Sequence, residues 1–202
     1  MTNFVHKGDL PAEVKFTDSV AVDTETTGLL LHRDRLCVVQ LSAGDGDAHI
    51  VQLLGNYKAP NLSAVLADFG LEKIFHFARF DLGMLLKHLG LVCSPVYCTR
   101  TASRLCRTNT DRHGLKDLCK DLLGVELSKQ QQSSDWAAED LTPEQVSYAA
   151  ADVLYLHQLK REMERLVSRE KRVELATACF KFLPHQAALD VGGWADEDIF
   201  AH

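Results

Sequence analysis

The sequence predicts an α/β domain on three observations. Three short β-branched apolar runs lie close together near the start, a fourth sits between two helical segments, and the second half is helical almost to its end. The first run, residues 19–23 (Ser-Val-Ala-Val-Asp), ends in acids; residues 36–41 (Leu-Cys-Val-Val-Gln-Leu) and 49–53 (His-Ile-Val-Gln-Leu) are the next two. Between the latter pair, 42–47 carries Gly and Asp, which tolerate positive φ, so a hairpin joins them and the three strands form an antiparallel meander. Residues 61–69 read as a helix capped by Asn61, 73–77 as a strand, and 80–89 as a helix with an apolar face and Gly90 as its stop. Beyond Tyr97, helices are expected at 99–106, at 115–123 with Gly124 as stop, and in one long segment from Pro143 to about Arg169. Thr142-Pro143-Glu144-Gln145 starts that segment with a Thr N-cap, Pro at the first helical position and Gln at the capping-box position. Residues 130–134 read as a polar loop before Trp136, and the segment from Pro184 shows no clear period and reads as a tail that packs on a neighbour.

Composition bounds the function. At 202 residues with 46% hydrophobic and 25% charged, the chain reads as one soluble globular domain and not as a disordered one. No apolar stretch approaches the roughly 20 residues of a membrane helix, and the N-terminal residues carry no export signal, so a cytoplasmic protein is expected. Six cysteines without a Cys-x-x-Cys pair suit thiols in a reducing compartment and argue against zinc. The net charge, 22 minus 28 or −6, has the wrong sign for holding long nucleic acid by counterion release.

Acidic residues carry the chemistry. Asp23 and Glu25 lie two apart at a strand end, so strand geometry puts both carboxylates on one face; taken alone, that is a solvated strand end. Tyr148 and Asp152 lie four apart on a helix and share a face. Asp81 opens a helix after a later strand, where the helix dipole already gives a carboxylate a structural role.

Together these residues form a pattern: Val22-Asp23-Thr24-Glu25-Thr26-Thr27-Gly28, then His76-Phe77-Ala78-Arg79-Phe80-Asp81-Leu82, then Tyr148-Ala149-Ala150-Ala151-Asp152-Val153-Leu154. It resembles the three motifs of the DEDD 3′–5′ exonucleases, in the tyrosine-bearing subclass that includes ribonuclease D, over about residues 20–159. The stretches 32–41, 110–116, 129–136 and 198–202 resemble the nanoRNase C (NrnC) family, which extends the likeness to nearly the whole chain. The resemblance implies a ribonuclease H-like fold, a mixed sheet of five or six strands with helices on both faces. It also implies a single exonuclease domain over 1–202, with a catalytic core at about 19–169 and a C-terminal helix and tail, 170–202, in oligomer contacts.

Phosphodiester hydrolysis needs an activated water, charge relief on the phosphoryl oxygens and a stabilised leaving oxygen, which two divalent cations supply. Carboxylates suit Mg²⁺ or Mn²⁺, and four negative charges balance two such ions; without metal they repel, and at least one pKa should rise. By resemblance, Asp23 bridges both metals, Glu25 and Asp152 hold the ion that activates water, Asp81 helps hold the other, and Tyr148 aims the water. Thr26, Thr27 and Gly28 are expected to present backbone groups to the substrate's 3′ end. Leu29 reads either as a wedge against a base or as a buried core leucine, and His76 either as a substrate contact or as a satisfied core histidine. Arg112, His113 and Lys116 read as a phosphate site or as a solvated basic surface. Trp136 and Tyr155 read as core.

The 33 residues after Arg169 are too few for the RNA-binding domains of ribonuclease D. With the net charge, this implies a substrate of very short RNA, dinucleotides above all, and by resemblance a homo-oligomer, an octameric ring whose interface Trp194, Ile199 and Phe200 would suit. No membrane and no other protein partner is expected. Three other readings stand beside this one: trimming of longer RNA or DNA 3′ ends, a silent nucleic-acid-binding module, and a small-molecule phosphodiesterase.

Overall fold

The computed structural model describes residues 2–128, 130–131 and 133–201. Lys129, Gln132 and His202, which belong to stretches read above, lie outside them. Among the described residues, six strands form one mixed sheet: β1 (Asn3–Lys7), β2 (Ser19–Thr26), β3 (Leu36–Ser42), β4 (Ala48–Gln52), β5 (Glu72–Phe75) and β6 (Val96–Cys98), in the spatial order β1-β4-β3-β2-β5-β6. β2, β3 and β4 are the expected antiparallel meander, with Gly44 and Gly46 at positive φ in the turn between β3 and β4. β5 and β6 extend the sheet in parallel beyond β2, and β1 pairs in parallel with β4 at the other edge. Reading β-branched runs misses β1 and β6, which are short; β1 is also mostly exposed, so burial never imposed an apolar pattern on it.

Side-chain alternation along β2 divides the molecule. Val20 and Val22 enter one core, built with Leu62, Leu66, Met84 and Leu85 from α1 (Pro60–Ala67) and α2 (Ala78–Leu89). Ala21 enters a second core on the opposite face, with Ala149, Val153, Leu159 and Met163 from α5 (Pro143–Leu154) and α6 (Leu156–Arg169). Helices therefore cover both faces, as the resemblance implied. The other helices are α3 (Thr99–Cys106), α4 (Leu115–Leu118), which runs on as a π-helical turn over Cys119–Leu123, and α7 (Val173–Leu189), followed by a second such turn over Asp190–Trp194.

Several boundaries differ from the sequence reading for physical reasons. Asn61 is not the cap of α1: the helix starts at Pro60, and the Asp9 carboxylate accepts from the backbone N–H groups of Asn61 (3.0 Å) and Leu62 (2.9 Å) across the chain. The Asn61 side chain instead donates to the carbonyl of Leu10 (2.9 Å). The long helix breaks at Tyr155, whose φ of −101° and ψ of −4° lie outside the helical range; neither Gly nor Pro marks the break, so periodicity reads straight through it. Downstream, α7 continues through Pro184 and packs on α2 and β6, with Ala176 and Ala187 buried. Arg79 of α2 makes a bidentate pair with Asp190 (2.5 and 2.7 Å) and donates to the carbonyl of Ala195 (2.9 Å), tying the C-terminal segment to the second motif.

Asp9→Ala removes acceptors from the backbone N–H groups of Leu10, Asn61 and Leu62 together. The expected cost is about 1–2 kcal/mol in urea unfolding, the loss of a good N-cap, whereas a change within about 0.3 kcal/mol would show that water replaces it.

Candidate active site

Neighbours on both sides hold β2: β3 antiparallel and β5 parallel. Asp23 and Glu25 follow Ala21 on the face that α5 covers, where Asp23 stands opposite Gln40 and Glu25 opposite Val38 on β3. The register shifts between Glu25 and Thr26, a bulge that turns the strand end away from the sheet. α5 begins as the sequence predicts: Thr142 Oγ1 accepts from the N–H of Gln145 (3.2 Å), and the Gln145 side chain accepts from the N–H of Thr142 (2.9 Å). That box fixes the helix start, and the Tyr148 and Asp152 side chains arrive over Asp23 and Glu25. One carboxylate oxygen from each of Asp23, Glu25 and Asp152 lies within 4.8 Å of the others.

Asp81 arrives from the other side. It sits in the first turn of α2, on the face shared with Val20 and Val22, and its carboxylate accepts from Thr24 Oγ1 at 2.6 Å. Thr24 is the residue between the two acids of the first motif, so it points away from them toward α2. Asp81 therefore belongs to the same cavity without joining the three-acid cluster. Thr24 escapes the sequence reading because its role depends on which helix covers the back of the strand.

The cavity holds about 610 Å³ and takes in all four acids, Tyr148, His76, Thr26, Thr27, Gly28, Leu29 and Lys116. Thr26 Oγ1 donates to the carbonyl of Gly28 (2.6 Å), so that carbonyl is already engaged. Gly28 is needed for another close approach: a Cβ there would lie 2.5 Å from the Asp34 carboxylate. Leu29 is 82% exposed, which rules out the core-leucine reading. His76 lines the cavity and pairs through Nδ1 with Thr99 Oγ1 (2.9 Å); burial pushes its pKa down to about 3, so it is neutral.

The basic cluster divides. Lys116 lines the cavity, but Arg112 faces away, paired with Asp117 (3.1 Å) and Asp121 (3.4 Å), and His113 is buried against Ser103 Oγ (2.8 Å). Adjacency in sequence concealed this, because Arg112 and His113 lie in the loop before the helix and Lys116 lies within it, so the three side chains leave the backbone in different directions. Sequence reading also missed Arg100 in the first turn of α3, which lines the cavity with its guanidinium 4.7 Å from the centre of the Phe77 ring. Trp136 is buried, its ring 6.0 Å from that of Tyr148, and Tyr155 packs at the edge of the α5 side core.

Burial dominates the electrostatics. It raises Asp23 to about 7, and with repulsion from Asp23, Asp152 and Asp81 it raises Glu25 to about 10. Asp81 and Asp152 are raised well above the carboxylate range, first by burial and then by the charge of Asp23. Tyr148 is raised too, by burial and then by Asp152, Glu25 and Asp23. A cluster of hard oxygen donors whose negative charge the chain leaves uncompensated fits divalent cations such as Mg²⁺.

A 3′–5′ exonuclease family model matches residues 8–168. The chain belongs to the 3′–5′ exonuclease family. This exonuclease chain is 34% identical to ribonuclease D of Acidiphilium cryptum over 156 residues, 77% of the chain and 39% of that protein. It thus spans about two-fifths of the length of the curated ribonuclease D relatives it matches. Solved structures of Brucella melitensis NrnC match end to end: one is 55% identical at a TM-score of 0.95, covering 100% of both chains. One structure of that protein has bound Mg²⁺ (53% identity, TM-score 0.94), and one is bound to pGG (55%, 0.94, covering 100% of this chain and 99% of that one).

The raised carboxylates give the metal-free exonuclease a defined pH response. The folded protein keeps protons that the unfolded chain releases near pH 4, so stability falls as pH rises from about 4 through 7, the Asp23 value, and on toward 10, the Glu25 value. The melting temperature of metal-free protein should drop by at least a few degrees between pH 5 and 8, and by less in Asp23→Asn. Mg²⁺ should raise it more at pH 8 than at pH 5, because cation and proton compete for the same oxygens. A flat profile with equal Mg²⁺ effects would refute the uncompensated cluster.

Proposed function

We propose that this chain is a metal-dependent 3′–5′ exoribonuclease acting on very short RNA, dinucleotides above all, and releasing nucleoside 5′-monophosphates. The observation that carries the reading is the cavity: four carboxylates on its floor, and about 610 Å³, within the roughly 300–1,000 Å³ of sites that enclose a small ligand. End-to-end similarity to a protein whose structure is bound to pGG supports the substrate length, and a net charge of −6 argues against gripping a long strand.

Asp23, Glu25 and Asp152 would hold one divalent ion, and Asp81, with Asp23 shared between them, a second. Mg²⁺ or Mn²⁺ in that pair would relieve charge on the phosphoryl oxygens and ease deprotonation of the attacking water. Tyr148 keeps its proton at neutral pH, since its pKa lies above that of an ordinary phenol, so its hydroxyl aims the attacking water and is not the base. Arg100 and Lys116 line the same cavity and make no ion pair among the described residues, which leaves both cations for substrate phosphates. Leu29 at the mouth offers an apolar wedge to a base, and Thr26, Thr27 and Gly28 offer backbone to the 3′ end; His76, neutral and tied to Thr99, acts as scaffold.

The proposal extends to a single exonuclease domain that assembles as a homo-oligomer, an octameric ring, through the C-terminal segment. Its support is the exposure of Trp194, Ile199 and Phe200 on a segment anchored by Arg79. A reducing, cytoplasmic setting suits the six unpaired thiols.

A time course with labelled RNA dinucleotide and a labelled RNA of about twenty nucleotides, longer than sites of the ~4–16 nucleotide class, tests the substrate. Fast loss of the dinucleotide with slow attack on the longer strand is expected, abolished by chelator and by Asp23→Ala; preference for the longer strand would replace this reading with a trimming role. Tyr148→Phe should lower kcat by about 10²–10⁴-fold with Mg²⁺ affinity nearly unchanged, and an unchanged rate would remove Tyr148 from the chemistry.

A further inference from the structure

Phe77 takes no part in the chemistry above, yet its placement is costly in two ways. It sits at φ 68° and ψ 44°, the left-handed region that residues with a Cβ rarely enter, immediately before α2. The residue is 49% exposed and belongs to neither hydrophobic core. A residue that is both strained and exposed at a functional site points to a contact made with something outside the chain.

The surroundings define that contact. The ring lines the cavity that holds the four acids, and the Arg100 guanidinium lies over it, 4.7 Å from its centre. The Arg100 side chain makes no hydrogen bond or ion pair among the described residues, and the contact it does make is the stack on Phe77. A cation over an aromatic ring leaves the ring's other face as a flat apolar surface, the shape that a nucleobase covers.

From the strained backbone, the half-exposed residue and the Arg100 stack, we infer that Phe77 is a stacking platform for a base of the bound oligonucleotide. This rests on the reading of the cavity as an oligonucleotide site. Stacking on a ring is sequence-tolerant, because every base has a π-face, and it favours the larger purines. It also explains why an apolar aromatic is held in a conformation that Gly would adopt without cost: the left-handed residue aims the ring into the cavity, and α2 then starts in register to deliver Asp81 four residues later.

The test compares wild type with Phe77→Gly and Phe77→Trp on a 5′-phosphorylated GG dinucleotide and on two analogues, each lacking one base. Phe77→Gly relieves the backbone strain, so its melting temperature should hold or rise. Its KM should nonetheless rise about tenfold to a hundredfold with kcat within about threefold, and Phe77→Trp should keep KM at or below the wild-type value. For one of the two abasic analogues, the gap between wild type and Phe77→Gly should close to within about twofold.

An unchanged KM in Phe77→Gly overturns the inference, and so does a gap that persists for both analogues. A shift in sedimentation without a change in KM overturns it by making Phe77 an interface residue. Failure of the dinucleotide reading is distinguishable, because it shows in wild type alone as no turnover of GG. In that event the same comparison on RNA of about twenty nucleotides, with abasic positions at its 3′ end, decides the platform by the same criteria.

Discussion

The structure depends on holding four carboxylates together in one cavity, Asp23, Glu25 and Asp152 half-buried and Asp81 buried. Burial disfavours each charge, and the neighbours add repulsion, so Asp23, Glu25, Asp81 and Asp152 all sit above the ordinary carboxylate range. Left to itself, such a group would spread apart or take up protons. It stays together because each acid grows from an element fixed by something else. β2 is bonded on both sides, α5 is locked at its first turn by the Thr142–Gln145 box, and α2 starts from the left-handed Phe77. Stability spent on this repulsion is what a divalent cation would recover on binding, so one cause would link folding and pH response to the site's affinity for metal.

The two sides of β2 contribute differently. On one side, Asp23 and Glu25 face α5 and gather with Asp152 within 4.8 Å. On the other, Thr24 faces α2 and passes a 2.6 Å hydrogen bond to Asp81. A single strand thus positions acids from helices on both faces of the sheet, which a hairpin or a bundle of helices alone does not achieve. This asymmetry suits unequal roles for the two groups, a compact three-oxygen cluster and a fourth acid tied to the scaffold.

The parts legible in sequence were those whose physics is local. The antiparallel meander followed from apolar runs and a Gly-Asp loop, the α5 start from Thr142 and Gln145, and the Tyr148–Asp152 pairing from the helical repeat. What escaped depends on distant chain segments. Asp9 caps a helix more than fifty residues away, Thr24 serves Asp81, and Arg100 enters the cavity from α3. Arg112, His113 and Lys116 formed a cluster in sequence only, since Asp117, Asp121 and Ser103 claim the first two. The break at Tyr155 had no marker at all, because a residue in the bridge region interrupts a helix without Gly or Pro.

If the cavity takes an oligonucleotide, as proposed, its walls reconcile an acidic protein with an anionic substrate. Long strands are held by counterion release over many phosphates, which a chain of net charge −6 is ill suited to supply. Among the described residues that line the cavity, the Arg and Lys side chains are those of Arg100 and Lys116, and exposed apolar surface is carried by Leu29 at 82% and Phe77 at 49%. Affinity built that way would come from stacked bases and one or two phosphates, and it would saturate once those few contacts are made. Under the proposed reading, further nucleotides would meet a chain of net charge −6, so the distribution of charge favours a short substrate alongside the size of the cavity. Salt dependence should then be shallow, because few phosphate contacts release few ions.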